Sequence, residues 1–221
     1  MKKKNIILTS ILLVVFGVYT YLVKTYNVKA IGPNKSKVGF ATMNNWFKGI
    51  IGSNMTIYKI TEYLGYALLL IVVLFAIMGL VQLIKRKNIK KVDREILSLG
   101  VLYASMAIVY VLFEKVIINY RPILIDKVLE ASYPSSHTVL AICVASSFCM
   151  ISKKYFSKFT KLVNTIVLTL LTLVISGRII SGVHWLSDII GGILISAVLI
   201  SLFNTLIDIK ENKKKKGKKN I

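Results

Sequence analysis

The sequence predicts an all-α, polytopic membrane protein, one domain over residues 1–221 folded as a bundle of six transmembrane helices. Three observations predict it. Hydrophobic residues make up 55% of the chain and mean hydropathy is +0.69; ordinary soluble domains are roughly 45–50% apolar, and here the excess comes in blocks. The 30 Lys and Arg fall between those blocks and in the C-terminal tail. Both histidines and several charged residues gather beside one set of block ends.

A helix that crosses the hydrocarbon core needs about 20 predominantly apolar residues, in a range of roughly 17–25. Six runs qualify: 6–23, 64–84, 96–113, 136–152, 162–177 and 186–207. The first follows Lys2, Lys3 and Lys4, as a secretory signal would. Its apolar part is longer than the ~7–15 residues of a signal, and no small-residue cleavage site follows, so it reads as an uncleaved first helix. The segment 24–55 comes next. Its MNNWFKGII stretch is either a short amphipathic helix lying in the interface with Trp46 and Phe47 inward, or a plain connecting loop. The third run ends at Phe113, or at Ile118 at the furthest. The fifth is the shortest, and Ile179 and Ile180 extend it. The tail over 210–221 is a like-charge run and reads as a disordered cytoplasmic end.

Lys and Arg are enriched on the cytoplasmic side of membrane proteins. With the N-terminus inside, the inner segments carry 20 of them and the outer segments 10. Both termini are therefore expected in the cytoplasm. The first outer loop runs against the bias, since its six lysines meet no acidic residue before Glu62. The net charge of +21 suits nucleic acid as well as lipid in principle. Its placement beside apolar runs points to anionic headgroups, worth about 1 kcal/mol per residue at the surface, and not to nucleic acid. Cys143 and Cys149 share one apolar run, six residues apart, and read as small buried hydrophobes.

The chemistry gathers at the outer ends of the helices. His137 opens the fourth span and His184 precedes the sixth; Arg121, Arg178 and Asp188 fall on the same side. Ionisable residues at membrane depth are costly and usually functional. If the sixth helix begins by Val183, His184 and Asp188 stand at i and i+4 on one face. The carboxylate then fixes the imidazole tautomer and leaves the other nitrogen free to attack. Arg178 reaches the same cavity from the preceding helix end, and paired guanidinium hydrogen bonds suit phosphate oxygens.

In YPSSHT, residues 133–138, Pro134 disfavours helix before it. Ser135 is then the N-cap, and the first turn, with Ser136 and His137, presents free N–H groups and a positive dipole end to an anion. His137 there can donate a proton to a leaving group. In NYRP, residues 119–122, Arg121 is either an interfacial anchor or a phosphate ligand. Two His and an Asp also resemble a zinc set. Two arginines aimed at the same cavity repel a cation, however, and Glu114, Asp126 and Glu130 are scattered along one loop, so no metal site is expected.

These three stretches resemble the type 2 phosphatidic acid phosphatase (PAP2) family. Its signature is Lys, six residues, Arg-Pro; then Pro-Ser-Gly-His; then Ser-Arg, five residues, His, three residues, Asp. Arg121-Pro122, PSSH over 134–137, and Arg178, His184 and Asp188 fit in order and spacing. The chain departs at three positions. Glu114 stands where the lysine is usual, with Lys115 one residue off; Ser136 replaces the Gly; Gly177 replaces the Ser. The resemblance implies a six-helix membrane lipid phosphatase that needs no metal or other cofactor. It implies His184 as the nucleophile, Asp188 as its orienting carboxylate and His137 as proton donor and then base. Arg121, Arg178, Ser136, Ser135 and Lys115 would surround the phosphate. The substrate would be a membrane lipid phosphate, such as phosphatidic acid, phosphatidylglycerol phosphate or, preferentially, undecaprenyl diphosphate, met at the outer face of the cell membrane. Two alternatives stand beside it: a phosphotransferase using the same histidine, and a non-catalytic lipid- or anion-binding protein.

Overall fold

The computed structural model describes the backbone over residues 2–217 and side chains over 4–207. Among the described residues seven α-helices follow one another: α1 Lys2–Thr25, α2 Ala41–Ile51, α3 Met55–Arg86, α4 Arg94–Lys115, α5 Ser136–Tyr155, α6 Thr160–Ile180 and α7 Leu186–Gly217. All but α2 are long and apolar enough to cross a membrane.

Two helices form the centre. In α5 and α7, 56% of the best apolar window is buried, against 11–22% in the other four spans, so the outer helices wrap an inner pair. The outward faces carry Ile7, Val14, Leu70 and Ile108, each more than half exposed. A soluble chain rarely presents so continuous an apolar surface, and hydrocarbon is its natural solvent.

α1 belongs to the bundle. Thr9 Oγ1 and Ser201 Oγ of α7 are 2.7 Å apart, Thr20 Oγ1 meets the Tyr133 hydroxyl at 2.7 Å, and the Tyr19 hydroxyl donates to the Ser187 carbonyl at 3.1 Å. Inside the bilayer such interhelical hydrogen bonds and close packing hold helices together, because burial against lipid gives no hydrophobic gain. Phe16, Phe113 and Tyr133 pack ring against ring between α1, α4 and the loop before α5. At the other end Phe75, Phe148 and Tyr155 do the same.

The predicted spans each fall within an observed helix, with two informative differences. α3 starts at Met55, nine residues before the apolar run at 64, because its first two turns carry Tyr58, Thr61 and Glu62 for the site and not for lipid. α7 continues as helix to Gly217, past the predicted end at 207, where the sequence reading placed a disordered tail; side chains beyond 207 lie outside the described residues. Of the two readings of segment 24–55, the helical one holds for α2. Trp46 faces outward at 64% exposure, and the buried residues of α2 are Ala41 and Asn44.

Candidate active site

The site side chains come from one end of the bundle: the first two turns of α3, the first turns of α5 and α7, the last turn of α6, the turn between α6 and α7, and the loop from α4 to α5. That loop folds back as a short hairpin. The Arg121 amide donates to the Glu130 carbonyl at 3.0 Å and the Ser132 amide to the Asn119 carbonyl at 2.9 Å, with left-handed Asp126 and Lys127 at the tip. The pairing carries Arg121 and Ser132 to the same place.

His184 lies in the turn between α6 and α7, two residues before helix begins. This corrects the predicted i, i+4 hydrogen bond with Asp188. Nδ1 of His184 and Oδ2 of Asp188 are 3.9 Å apart, beyond hydrogen-bond reach. Ser132 bridges them: its hydroxyl is 2.5 Å from Asp188 Oδ2 and 3.1 Å from His184 Nδ1, and its carbonyl lies 3.1 Å from the same Nδ1. A carbonyl only accepts, so the proton belongs on Nδ1 and Nε2 carries the lone pair, which faces the Arg121 guanidinium. Burial first, then the nearby charges of Arg121 and Arg178, hold the His184 imidazole well below its ordinary titration range, so the ring is neutral.

Asp188 is fully buried and fully engaged. Oδ2 also accepts from the Trp185 amide at 2.9 Å, and Oδ1 accepts from Asn119 Nδ2 at 3.2 Å. The first of these is the reach-back bond of a capping box, made here by an aspartate at the third helical position. One carboxylate therefore starts α7 and orients the histidine before it.

The turn that carries His184 is fixed from above. Gly182 has φ +60°, and a Cβ there would lie 2.0 Å from the Gly52 carbonyl oxygen, so only glycine fits. Lys48 of α2 donates to the carbonyls of Gly52 and Gly182, each at 2.7 Å, and the Asn54 amide donates to the Ser181 carbonyl at 3.0 Å. Asn44 binds Ser187 through its Oγ and amide. Gly177 lies inside α6, and its missing side chain lets Thr61 of α3 approach.

Arg178, wholly buried, ion-pairs through Nη2 with Glu62 of α3. The same Glu62 oxygen, Oε1, is 3.3 Å from His137 Nε2. Arg121 lies with Nη1 3.3 Å from His184 Nε2 and Nε 2.9 Å from Glu130. The Tyr58 ring sits under both guanidinium groups, with centroids 4.9 Å from Arg178 and 6.0 Å from Arg121, within the range of cation–π attraction. Among the described residues, Arg178 Nε and Nη1 have no hydrogen-bond partner.

α5 begins at Ser136 with Ser135 as N-cap, as read from the sequence, but the Ser135 hydroxyl makes no capping bond. It accepts from Thr138 Oγ1 at 3.0 Å, while the Ser135 amide donates to the Asp188 carbonyl at 3.0 Å. Ser136 and His137 occupy the first turn. The structure thus brings together His184, His137, Asp188, Arg121, Arg178, Ser135 and Ser136. Lys115 stands apart: it ends α4 with its side chain exposed and forms no hydrogen bond or ion pair among the described residues. No group of three or more His, Cys, Asp or Glu among those residues is arranged to hold a metal.

Sequence reasoning missed Ser132, Glu62 and Tyr58. Ser132 gave no signal, being an ordinary loop serine in the sequence. Glu62 gave one, as the first acidic residue of the chain after a segment whose only charges are lysines.

A solved structure with a similar fold is the first transmembrane PAP2 type phosphatidylglycerolphosphate phosphatase from Bacillus subtilis, at TM-score 0.61 and 19% sequence identity, covering 93% of this chain and 96% of that one. At that identity the likeness speaks for the fold. No curated protein matches the chain. The family model for the PAP2 superfamily matches residues 70–211, a stretch that holds both histidines, both arginines and the buried aspartate, and the chain belongs to that superfamily.

Proposed function

We propose that the protein is an integral membrane lipid phosphatase that works through a phosphohistidine on His184. The observation that carries this reading is the pairing of a neutral His184, its Nε2 unprotonated and 3.3 Å from Arg121 Nη1, with a second histidine at a helix N-terminus beside a buried arginine.

The steps balance without a metal. His184 Nε2 attacks phosphorus, the bond from phosphorus to the leaving oxygen breaks, and His137 delivers a proton to that oxygen. The lipid alcohol, or a lipid monophosphate from a diphosphate, departs. Water then attacks the phosphohistidine, His137 takes its proton, the P–N bond breaks, and inorganic phosphate leaves a neutral His184. Charge that builds on the equatorial oxygens meets Arg121, Arg178 and the free amides at Ser136 and His137. Such preorganised donors are the largest single contribution in many enzymes. Asp188, through Ser132, stabilises the imidazolium character that His184 gains.

The substrate class is a lipid phosphate or diphosphate: phosphatidic acid, phosphatidylglycerol phosphate, the substrate in the name of the structural neighbour, or undecaprenyl diphosphate, our first choice. The apolar flanks of the helices let its chains stay in the bilayer. Both termini lie in the cytoplasm and the site opens at the outer face, a reading supported by the Lys and Arg bias across the loops.

Phosphate release from a panel of these lipids by the purified protein in EDTA, beside His184→Ala, tests the reading. Release by the wild type and none by the variant is expected. Equal rates sink it. Transfer of phosphate to an added lipid acceptor in place of release assigns a phosphotransferase.

A further inference from the structure

Glu62 lies outside the stretch that matches the superfamily, yet its carboxylate stands inside the site. One oxygen, Oε1, touches both the Arg178 guanidinium and His137 Nε2. An oxygen of a phosphoryl group held between a clamping arginine and a proton donor would take this same place. α3 is shaped around the arrangement. Gly65, one turn on, leaves room for the His137 ring, since a Cβ there would lie 2.8 Å from His137 Cδ2. Tyr58, one turn back, lies under Arg178. Tyr58, Glu62 and Gly65 follow at four and three residues, on one helical face.

Glu62 engages Arg178 through Nη2, while Nε and Nη1, both buried, have no partner among the described residues. The carboxylate thus meets one nitrogen of the guanidinium and leaves the other two without a partner among the described residues. Without an anion nearby, Arg178 would be a buried guanidinium with no counter-charge, a costly state.

We propose that Glu62 is the resident counter-anion of the site before substrate binds: it holds Arg178 and His137 in place and competes with the phosphoryl group of the substrate for both. The proposal rests on the reading of this site as a phosphate site. On substrate binding the carboxylate, 28% exposed against 0% for Arg178, is the partner that gives way, swinging toward the open side while the arginine stays. Glu62 is a positioning residue and forms no bond to phosphorus.

The sign of its removal separates this role from a merely structural one. Loss of structural support weakens phosphate binding; loss of a competitor strengthens it. Calorimetric titration of the detergent-solubilised full chain with inorganic phosphate, together with KM and kcat on the lipid panel, reads the difference. Glu62→Gln keeps the shape and an acceptor for Arg178 while removing the charge. It is expected to bind phosphate about fivefold more tightly, the scale of a partly exposed ion pair that no longer has to be broken, and to lower KM without raising kcat. Phosphate binding unchanged or weaker than wild type overturns the proposal. Glu62→Asp, which withdraws the carboxylate by one methylene, decides by the same criterion if the glutamine variant does not fold. If phosphate binds more tightly while no lipid is hydrolysed by any form, the phosphatase reading fails and the placement of Glu62 stands. If lipids are hydrolysed and phosphate binding does not tighten, the reverse holds.

Discussion

His184 Nδ1 and Asp188 Oδ2 are 3.9 Å apart, with the Ser132 hydroxyl between them, 3.1 Å from the nitrogen and 2.5 Å from the oxygen. The motif spacing alone suggests a direct pair. The helix starts too late for that, because Asp188 is spent on capping its own first turn through the Trp185 amide. A serine from a distant loop carries the influence of the carboxylate to the ring.

Replacing Ser132 by Ala removes the hydroxyl and keeps its carbonyl, so His184 retains one of its two Nδ1 contacts. We expect kcat to fall about tenfold to a hundredfold with KM little changed, the scale of one buried hydrogen bond lost from an orienting network. Asp188→Asn should cost more, about a hundredfold or beyond, since it also removes the charge that stabilises the imidazolium. Steady-state kinetics on one lipid phosphate, with circular dichroism to confirm folding, checks both.

Stability should depend on pH through His184. Its folded-state titration lies well below the ordinary 6.5 because of burial and the charges of Arg121 and Arg178. The unfolded chain takes up a proton near 6.5 that the folded chain refuses. The stability contributed by the depressed group is therefore fully present above that value and is lost as pH falls below it. Melting temperatures at about pH 8 and about pH 5 should differ more for wild type than for His184→Asn. An equal drop in the two proteins counts against the assignment.

The chemistry-bearing residues of the matched segment were legible because their types and spacings are rare: an Arg, a His and an Asp between two apolar runs have few other reasons to be there. The six spans were legible from hydropathy for the same reason. Ser132 was not, because a serine in a polar loop looks like any other until the hairpin sets it against His184. Glu62 and Tyr58 escaped because hydropathy marks where an apolar run begins, not where a helix begins. Their two turns are helical and polar, facing the site. The start of α7 at Leu186 was legible, but the direct His184–Asp188 bond, which needs a helix begun by Val183, was not excluded, because the sequence does not say that Asp188 reaches back to cap Trp185.

Gly65 is expected to be intolerant for a reason of catalysis more than of folding. A Cβ there would meet His137 Cδ2 at 2.8 Å and Nε2 at 3.0 Å, so Gly65→Ala must push His137, the proposed proton donor, out of place or spread α3 from α5. Alanine favours helix over glycine by about 1 kcal/mol, which offsets part of the strain. We expect kcat to fall about tenfold or more, a part of what a general acid supplies, with a melting temperature close to wild type. In a His137→Ala background the same substitution should add little further loss; full additivity would mean that Gly65 acts elsewhere.

Lys115 tests whether the chain has dispensed with the lysine usual in the first family motif. It sits at the exposed end of α4 with no ion pair or hydrogen bond among the described residues, and two residues on Lys24 of α1 binds the Ile117 carbonyl at 2.8 Å. Arg121, six residues on, is 9% exposed and lies against His184. On the proposed reading the phosphate contacts therefore rest on Arg121, Arg178 and the first turn of α5. Lys115→Ala should leave kcat/KM within about twofold of wild type, as for other surface substitutions. Arg121→Lys should lower it by about tenfold to a hundredfold, because a lysine cannot reproduce the planar fork. Kinetics of the two variants on the same lipid decide the matter. A loss at Lys115 comparable to that at Arg121 would show that α4 bends inward when the phosphate binds.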